Sequence, residues 1–448
     1  MLSLPSSAEP IFMNLSAAFT DSTARHVLVL MVGAILARGR RTVTAVLRAV
    51  GGLAEAHFST YHRVFSRASW SPWTLGRSLT RLVVELFPAD QPIPTAVDET
   101  TAQHRGAKVY GKGCHRDAVR SSHVHTVYKW GHKWVVLAIV VKFPFARCPW
   151  SLPVLAALYR PEELDRAEGR RHKTPSELAR QMLACLIHWF PGREFILLGD
   201  GGYATTELAE FCSRHGHPLV CRLRTDAALY APAPARRKKQ LGRPRVKGQK
   251  IDSPARAAQR KNAFWKNAAV DWYGGGTRKV RLLTGTGVWY NRRRAVPIRW
   301  VYVVDRQDTH RDDCVFTTDV SLPPKRIVGL FTRRWSIEVT FEEVRAHLGF
   351  ETTRQRVAKS VLRTAPCLLG LFSVISLVLA DYSRSHRVRP ASTAWYLKTD
   401  VTFSDAIATV RRLLWEETVF GTSSHAKQYE KTPPALRKLF LDYLCPAA

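Results

Sequence analysis

Acidic residues and diagnostic cysteine patterns are scarce in this sequence. Asp and Glu number 36 against 68 Lys and Arg, and the formal net charge is +32. The eight cysteines show no C-x-x-C spacing, which argues against a zinc knuckle or a disulfide framework and fits reduced thiols in the cytosol. No Walker A loop and no internal repeat are found, so the sequence indicates neither a P-loop ATPase nor a repeat protein.

Long hydrophobic runs are also lacking. The longest, Cys367–Ala380, is shorter than the ~20 residues that a membrane-spanning helix needs. The opening MLSLPSSAEP lacks the basic-then-apolar order of a signal peptide, and we find no amphipathic anchor or lipidation signal. We therefore expect a cytoplasmic protein with no membrane partner.

Positive charge, by contrast, is abundant and indicates the kind of partner rather than the fold. Nucleic acid is the leading candidate, because neutralisation of phosphates dominates its binding. Eight basic residues and no acid occupy the segment from Arg236 to Lys250. We expect DNA contacts from six of these basic residues: Arg236, Arg237, Lys238, Lys239, Arg243 and Arg245.

The same basic tract contains the short motif Gly242-Arg243-Pro244-Arg245. The motif resembles the core of an AT-hook, in which Arg-Pro-Arg lies in the narrow minor groove of A·T-rich DNA. The alternative, which we favour, is a solvated linker that contacts phosphates without sequence preference.

The length of 448 residues favours more than one domain. The pattern of predicted secondary structure also changes along the chain. After a helical start, strands alternate with helices, which indicates an α/β layer with a central sheet. The predicted divisions are a helical DNA-binding domain (1–90), the first part of an α/β core (91–230), a basic linker (231–262), a β-rich insert (263–320), a long helix with the end of the core (321–383) and a C-terminal helical region (384–448).

The N-terminal region has the outline of a helix-turn-helix. A short apolar helix over 42–50 is followed by Gly51 and Gly52, and a more polar helix follows over 58–67. Arg63 and Arg67 fall on the polar side of this second helix, where they could contact DNA. The alternative is a plain helical bundle.

Two strand patterns in the α/β region carry specific expectations. The apolar run Ile93–Val97 predicts a short strand that ends at Asp98. Farther on, Val124–Trp130 and Trp134–Val141 predict a hairpin that turns at Gly131.

Two acids directly follow apolar strands. Asp98 comes after PTAV, and Asp200 comes after FILLG. Ends of neighbouring strands are where an α/β sheet exposes functional groups, so the two carboxylates could lie close together. The alternative is that each acid only forms a turn or caps a helix.

A third acid lies on a predicted long helix over Pro323–Gly349. At ~100° per residue, Phe331, Arg334, Glu338 and Arg345 share an arc of roughly 60°. A carboxylate flanked on one face by two arginines and an aromatic ring is unusual for a solvated surface. The alternative is an ordinary ion pair between Arg334 and Glu338, worth a few tenths of a kcal/mol.

The spacing of these four residues resembles a family signature. F-x2-R-x3-E-x6-R (Phe331, Arg334, Glu338, Arg345) is similar to the Y-x2-R-x3-E-x6-K signature of DDE-type transposases from bacterial insertion sequences. Phe331 stands where the family has Tyr, so the ring is kept and the hydroxyl lost. Arg345 stands where it has Lys, so the charge is kept but its shape becomes a planar fork.

The resemblance covers about residues 93–350 and includes the segments AVDETT, around Asp98, and LLGDGGY, around Asp200. It implies a ribonuclease-H-like α/β core interrupted by a β-rich insert, with Asp98, Asp200 and Glu338 as the catalytic and metal-binding triad. The implied cofactor is Mg²⁺, which prefers oxygen ligands and which Mn²⁺ could replace. Arg334 and Arg345 would bind phosphate near the scissile bond.

The implied activity is cut-and-paste transposition of an insertion sequence. The partners would be double-stranded DNA, as terminal inverted repeats and target, and a second copy of the chain in a homodimer. The location would be the bacterial cytoplasm, at the nucleoid. Two alternatives stay open: a catalytically silent DNA-binding protein derived from a transposase, and a ribonuclease-H-like nuclease without strand transfer.

Helix geometry alone does not select the third acid. Glu342 lies on the same predicted face as Glu338, one turn farther along. The resemblance selects Glu338 through its spacing from Arg334 and Arg345. Trp335 is also expected to pack beside Glu338 and hold its rotamer.

Overall fold

The computed structural model describes residues 3–117, 120–121, 124–236, 243–291, 294–307, 309–392, 395, 397–421 and 426–446. Its strands are β1 (Ile93–Gln103), β2 (Gly113–Arg116), β3 (Tyr128–Val141), β4 (Trp150–Tyr159), β5 (Phe195–Gly199), β6 (Leu219–Arg222), β7 (Leu229–Tyr230), β8 (Lys250–Ile251), β9 (Lys266–Asp271), β10 (Thr277–Asn291), β11 (Arg294–Asp305) and β12 (Asp313–Thr317). Its α-helices are α1 (Glu9–Ser16), α2 (Asp21–Leu36), α3 (Val43–Val50), α4 (Phe58–Ser66), α5 (Pro72–Val84), α6 (Glu162–Ala167), α7 (Pro175–Trp189), α8 (Thr206–Arg214), α9 (Pro254–Gln259), α10 (Pro324–Arg333), α11 (Ser336–Leu348), α12 (Ala358–Tyr382), α13 (Phe403–Leu413), α14 (Ala426–Lys431) and α15 (Pro434–Leu444).

The strands form one 12-stranded sheet in the order β2-β3-β1-β5-β6-β12-β11-β10-β7-β8, with β4 paired to β3 and β9 to β10. β1 runs antiparallel to β3 and parallel to β5, and β5 runs parallel to β6. The residues of β5 are all buried, as central parallel strands covered on both faces require. The protein therefore has a mixed α/β fold with a large mixed sheet, consistent with the predicted ribonuclease-H-like core.

Two strand predictions were wrong in their extent. β1 does not end at Asp98 but continues to Gln103, because β3 pairs with it along this whole length. The predicted hairpin at Gly131 is instead part of the single strand β3. A Cβ at Gly131 would collide with the carbonyl oxygen of Ala102 on β1, so glycine here permits close strand pairing rather than a turn.

The predicted long helix over 323–349 is two helices, α10 and α11. They meet at Arg334 and Trp335, whose amides bond three residues back, to the carbonyls of Phe331 and Thr332, both at 3.2 Å. These tighter bonds break the α-helical ladder and shift the face on which later residues lie. The predicted stop is confirmed, since Gly349 ends α11 with a left-handed φ of 61°.

The strands of the β-rich stretch, β9 to β12, extend the central sheet, because β12 pairs with both β6 and β11. The described part of the basic tract, Arg236 and residues 243–250, lies between β7 and β8 at the far end of this sheet. The Lys247 ammonium lies 3.5 Å from the ring centroid of Tyr230 and 3.9 Å from that of Tyr290, which fastens the loop to the sheet. The domain boundaries remain predictions.

The N-terminal helices share one continuous apolar core with the sheet. α5 packs on β4 and α12, and α4 also contacts α12. Arg363 of α12 donates hydrogen bonds to the carbonyls of Phe65, Ala68 and Trp70, at 3.0, 2.9 and 2.6 Å. These bonds anchor the end of α4 to the core, so the position of α4 relative to the sheet is set by buried contacts.

α12 extends well beyond the run Cys367–Ala380 on its N-terminal side. Its 25 residues meet the length and composition criteria for a membrane span, and 72% of its most apolar 18-residue window is buried inside the protein. α12 packs along β4 and α5. Burial against these elements accounts for its apolar composition, which makes it the central helix of the core.

Candidate active site

Arg334 joins two predicted acids that are far apart in sequence. Its Nη1 donates to Asp98 Oδ2 at 2.7 Å, and its Nη2 donates to Glu338 Oε1 at 3.0 Å. Asp98 lies in the middle of β1, and Glu338 lies in the first turn of α11. The break between α10 and α11 places the arginine where it reaches both carboxylates.

Asp200 completes the predicted triad from the neighbouring strand. It directly follows β5, the parallel neighbour of β1, and its Oδ1 accepts a hydrogen bond from the Gly202 amide at 2.8 Å. This bond caps the short 3₁₀ turn Gly201–Tyr203. The charge of Asp200 is one of the causes that raise the pKa of both Asp98 and Glu338.

Burial dominates the electrostatics of the site. It raises the pKa of Asp98 to about 7, against the pull of the Arg334 charge and the amide of Glu99, while Asp200 and Glu338 raise it further. Burial also raises the pKa of Glu338, and Arg334 again opposes the shift. Three carboxylates at one buried place carry more negative charge than one guanidinium compensates.

The donor set suits a hard divalent cation, because carboxylate oxygens are the ligands that Mg²⁺ prefers. Over the described ranges, however, no group of three or more His, Cys, Asp or Glu side chains is arranged to hold a metal ion. Arg334 now engages one oxygen of Asp98 and one of Glu338. The chemistry of the residues therefore fits a cation that shares or displaces the arginine's contacts.

Arg345 of α11 contacts the strand that carries Asp98. Its Nη2 donates to the hydroxyl of Thr100, two residues after Asp98, and its Nε lies 3.7 Å from Glu351 Oε1. Side chains two residues apart on a strand share a face. Of the predicted DNA-contacting residues, Arg334 and Arg345 thus lie beside the acids.

The other predicted DNA-contacting residues lie elsewhere. Arg63 and Arg67 are exposed on and just after α4, and Arg236, Arg243 and Arg245 are exposed in the β7–β8 loop. Arg237, Lys238 and Lys239 fall outside the described residues. The structure thus places these basic groups on two surfaces, one on the N-terminal helices and one at the end of the sheet.

The two neighbouring glutamates have other environments. Glu99 faces away from Asp98 along β1 and pairs with Lys133 of β3. Glu342 is exposed on α11. Trp335 is 45% exposed, and its ring contacts that of Tyr273.

Sequence reasoning missed two residues of this site. Arg222, at the end of β6, has its guanidinium carbon 5.7 Å from the centroid of the buried Phe331 ring, while that of Arg334 lies 5.8 Å from it. Tyr203 has a buried hydroxyl with no partner among the described residues. Burial is the main cause that holds the pKa of Tyr203 well above its ordinary value, and the charges of Glu99, Asp98 and Asp200 raise this pKa further. Neither residue carries a local sequence signal, because the neighbours of each come from other elements.

The raised pKa of Asp98 predicts how stability depends on pH in the metal-free protein. Its ordinary value of 3.8 rises to about 7 on folding, so the folded state holds a proton that the unfolded state releases. We expect the contribution of Asp98 to the free energy of unfolding to fall as the pH rises from about 4 to about 7. Melting temperatures in EDTA from pH 5 to 8.5 should show this fall reduced in Asp98→Asn.

The matched control for that comparison is Asp90→Asn, because Asp90 is an exposed aspartate. The melting temperature of Asp90→Asn should change with pH in parallel with that of the wild type. Parallel curves for the wild type and Asp98→Asn would show that Asp98 does not titrate in this range.

Comparison with known families points to the same chemistry. The profile of a family described as DDE superfamily endonuclease matches residues 14–279. The matched region contains Asp98 and Asp200 and ends before Glu338. No curated protein matches the chain.

Proposed function

Since the chain belongs to the DDE superfamily endonuclease family, whose members cleave phosphodiester bonds in DNA, we propose that it is the transposase of a bacterial insertion sequence. It would bind the terminal inverted repeats of its element, cut the DNA there and join the freed 3′ ends to target DNA. We further propose that it acts as a homodimer at the nucleoid in the cytoplasm, because two element ends must be held together.

The observation that carries this proposal is the contact of Arg334 with both Asp98 and Glu338. Asp98 and Arg334 are 236 residues apart in sequence, yet their side chains form a buried ion pair at 2.7 Å. The contact brings together the acid of β1 and the acid that the transposase signature specifies. Asp200 adds a third carboxylate from the next strand.

Each residue of the site has a role in the proposed reaction. Asp98, Asp200 and Glu338 would hold Mg²⁺, which supplies the charge that activates an attacking oxygen and stabilises a leaving oxygen. Arg345 presents a guanidinium beside the acids and would bind a phosphate of the cut strand through charge-assisted hydrogen bonds. Arg334 would hold Asp98 and Glu338 in position, since it already donates to both.

A cleavage and joining assay tests the proposal. Labelled DNA carrying the terminal inverted repeat is incubated with the protein and Mg²⁺, with and without target DNA. We expect nicking at the repeat and joined products, and neither with Asp200→Ala, although this variant still binds the DNA. Binding without nicking would support a silent DNA-binding protein, and nicking without joining would support a simple nuclease.

Recognition of the element ends is proposed to reside in α4. We expect the double variant Arg63→Ala, Arg67→Ala to lose roughly thirtyfold or more in affinity for the terminal repeat, because each of the two lost contacts to base edges discriminates by about 1–3 kcal/mol. Affinity for unrelated DNA should fall much less. Fluorescence anisotropy on both duplexes measures the difference.

Arg77→Ala is the control, since Arg77 is exposed on the neighbouring helix α5. Equal losses of affinity on both duplexes would show that α4 contacts phosphates rather than bases. Deleting residues 1–90 is unsuitable, because these helices complete the apolar core on β4 and α12.

A further inference from the structure

A wide cleft opens beside the candidate active site, and we call it the β3 cleft. Its volume is about 1150 Å³. The lining residues used below are Arg105, Lys108, Lys112, Lys129, Trp130 and Arg345. Over the whole lining, six Lys and Arg side chains outnumber the three acids Asp117, Glu168 and Glu351, so the cleft carries net positive charge.

The β3 cleft adjoins the active site at Arg345. This residue lines the cleft and donates to Thr100, on the strand that carries Asp98. Glu351, which also lines the cleft, accepts a hydrogen bond from the Gln103 amide at 3.3 Å and so closes the end of β1. A strand bound at Asp98 could therefore pass Arg345 directly into the cleft.

Two large aromatic rings are exposed at this cleft. Tyr128 is 64% exposed and Trp130 is 57% exposed, and they share one face of β3 because they lie two residues apart. The Trp130 backbone is held firmly, since its carbonyl accepts from the His104 amide at 3.1 Å and it pairs with Cys114 of β2. Trp130 thus stands on a rigid strand with its ring open to solvent.

Basic groups surround the Trp130 ring. The Lys112 ammonium lies 5.3 Å from the ring centroid. Arg105 and Lys108 are exposed and line the same cleft, and Lys129 pairs with Asp117 at 3.4 Å. An exposed aromatic ring among lysines and arginines combines the two features by which proteins bind single strands: stacking on bases and attraction of the backbone.

We propose that the β3 cleft binds unpaired nucleotides of the DNA strand that passes through the active site. This inference rests on the proposed function, because it assigns the path of the same substrate. Trp130 would stack on one base, while Lys112 and Arg105 neutralise the adjacent phosphates. Bases within a duplex already stack on each other, so an open aromatic face favours an unpaired base.

The test compares a blunt DNA duplex with the same duplex carrying a four-nucleotide 3′ overhang. Binding is measured in EDTA, so that neither metal nor cleavage is needed. We expect the wild type to prefer the overhang, and Trp130→Ala to lose this preference by roughly tenfold. Trp130→Phe should retain most of it, because a phenyl ring still stacks, and this retention separates stacking from a folding defect.

Phe264→Ala is the matched control. Phe264 is 75% exposed and has the Lys266 ammonium 5.3 Å from its ring centroid, but it lies at the start of the β-rich stretch rather than in the cleft. This variant should keep the full overhang preference. A 5-iodouracil placed in the overhang should crosslink to the peptide that contains Trp130.

The outcomes for the cleft and for the proposed function are distinguishable. A wild type that cuts and joins DNA but shows no overhang preference, or a Trp130→Ala variant that keeps the preference, overturns the cleft assignment alone. A crosslink only to other segments also overturns it. An overhang preference in a protein that never nicks DNA would support the cleft and refute the transposase.

Discussion

Replacing Glu338 with glutamine will abolish Mg²⁺-dependent cleavage, whereas replacing Glu342 with glutamine will leave it nearly unchanged. Glu338 shares Arg334 with Asp98 and feels the charge of Asp200, so it lies in the carboxylate site. Glu342 is exposed one turn farther along α11. An amide lacks the charge that a divalent cation requires, so we expect a loss of about a thousandfold or more in Glu338→Gln.

Both variants should be measured on the same element-end DNA, bound before Mg²⁺ is added, so that binding and cutting are scored separately. Glu342→Gln is the internal control, because it makes the same chemical change on the same helix. An inactive Glu342→Gln together with an active Glu338→Gln would show that the third acid of the site is Glu342, one helical turn farther along.

Replacing Arg334 with methionine will destabilise the metal-free protein, and Mg²⁺ will restore much of the loss. The side chain of Arg334 is only 8% exposed, and its removal leaves the half-buried carboxylates of Asp98 and Glu338 without their counter-charge. Breaking a fully buried pair costs about 3–5 kcal/mol, and partial exposure lowers this, so we expect a loss of about 2–3 kcal/mol. Urea unfolding at pH 8, in EDTA and in Mg²⁺, measures both effects.

The neighbouring variant Arg333→Met is the control for that experiment. Arg333 pairs with Asp271, and its side chain is 45% exposed, so its loss should change stability by less than about 1 kcal/mol. We also expect Mg²⁺ to stabilise Arg334→Met more than it stabilises the wild type, because the guanidinium competes for the same carboxylate oxygens. An equal gain from Mg²⁺ in both proteins would mean that the cation, if bound, binds elsewhere.

The sequence by itself determined the local elements and the candidate acids. Apolar strands before Asp98 and Asp200 and the spacing around Glu338 are visible as short-range patterns, because side-chain periodicity does not depend on distant residues. The mixed α/β class follows from the same patterns. The family match over 14–279 supports the endonuclease chemistry that the resemblance implied.

Only the tertiary structure decided where those elements end and what lies between them. β1 continues past Asp98 because β3 pairs with it, and a partner strand cannot be read from the strand itself. The helix over 323–349 breaks at Arg334, whose guanidinium reaches two carboxylates on different elements. Helix propensity contains no information about either contact.

The same limit explains why Arg222, Tyr203 and the β3 cleft escaped sequence analysis. Each acquires its role from neighbours contributed by other elements: Phe331 for Arg222, the acids for Tyr203, and Arg345 for the cleft. The sequence determined which residues could do chemistry, since that depends on residue type and local pattern. Long-range packing decided which of them meet, because burial, counter-charge and cavity shape arise only when distant segments come together.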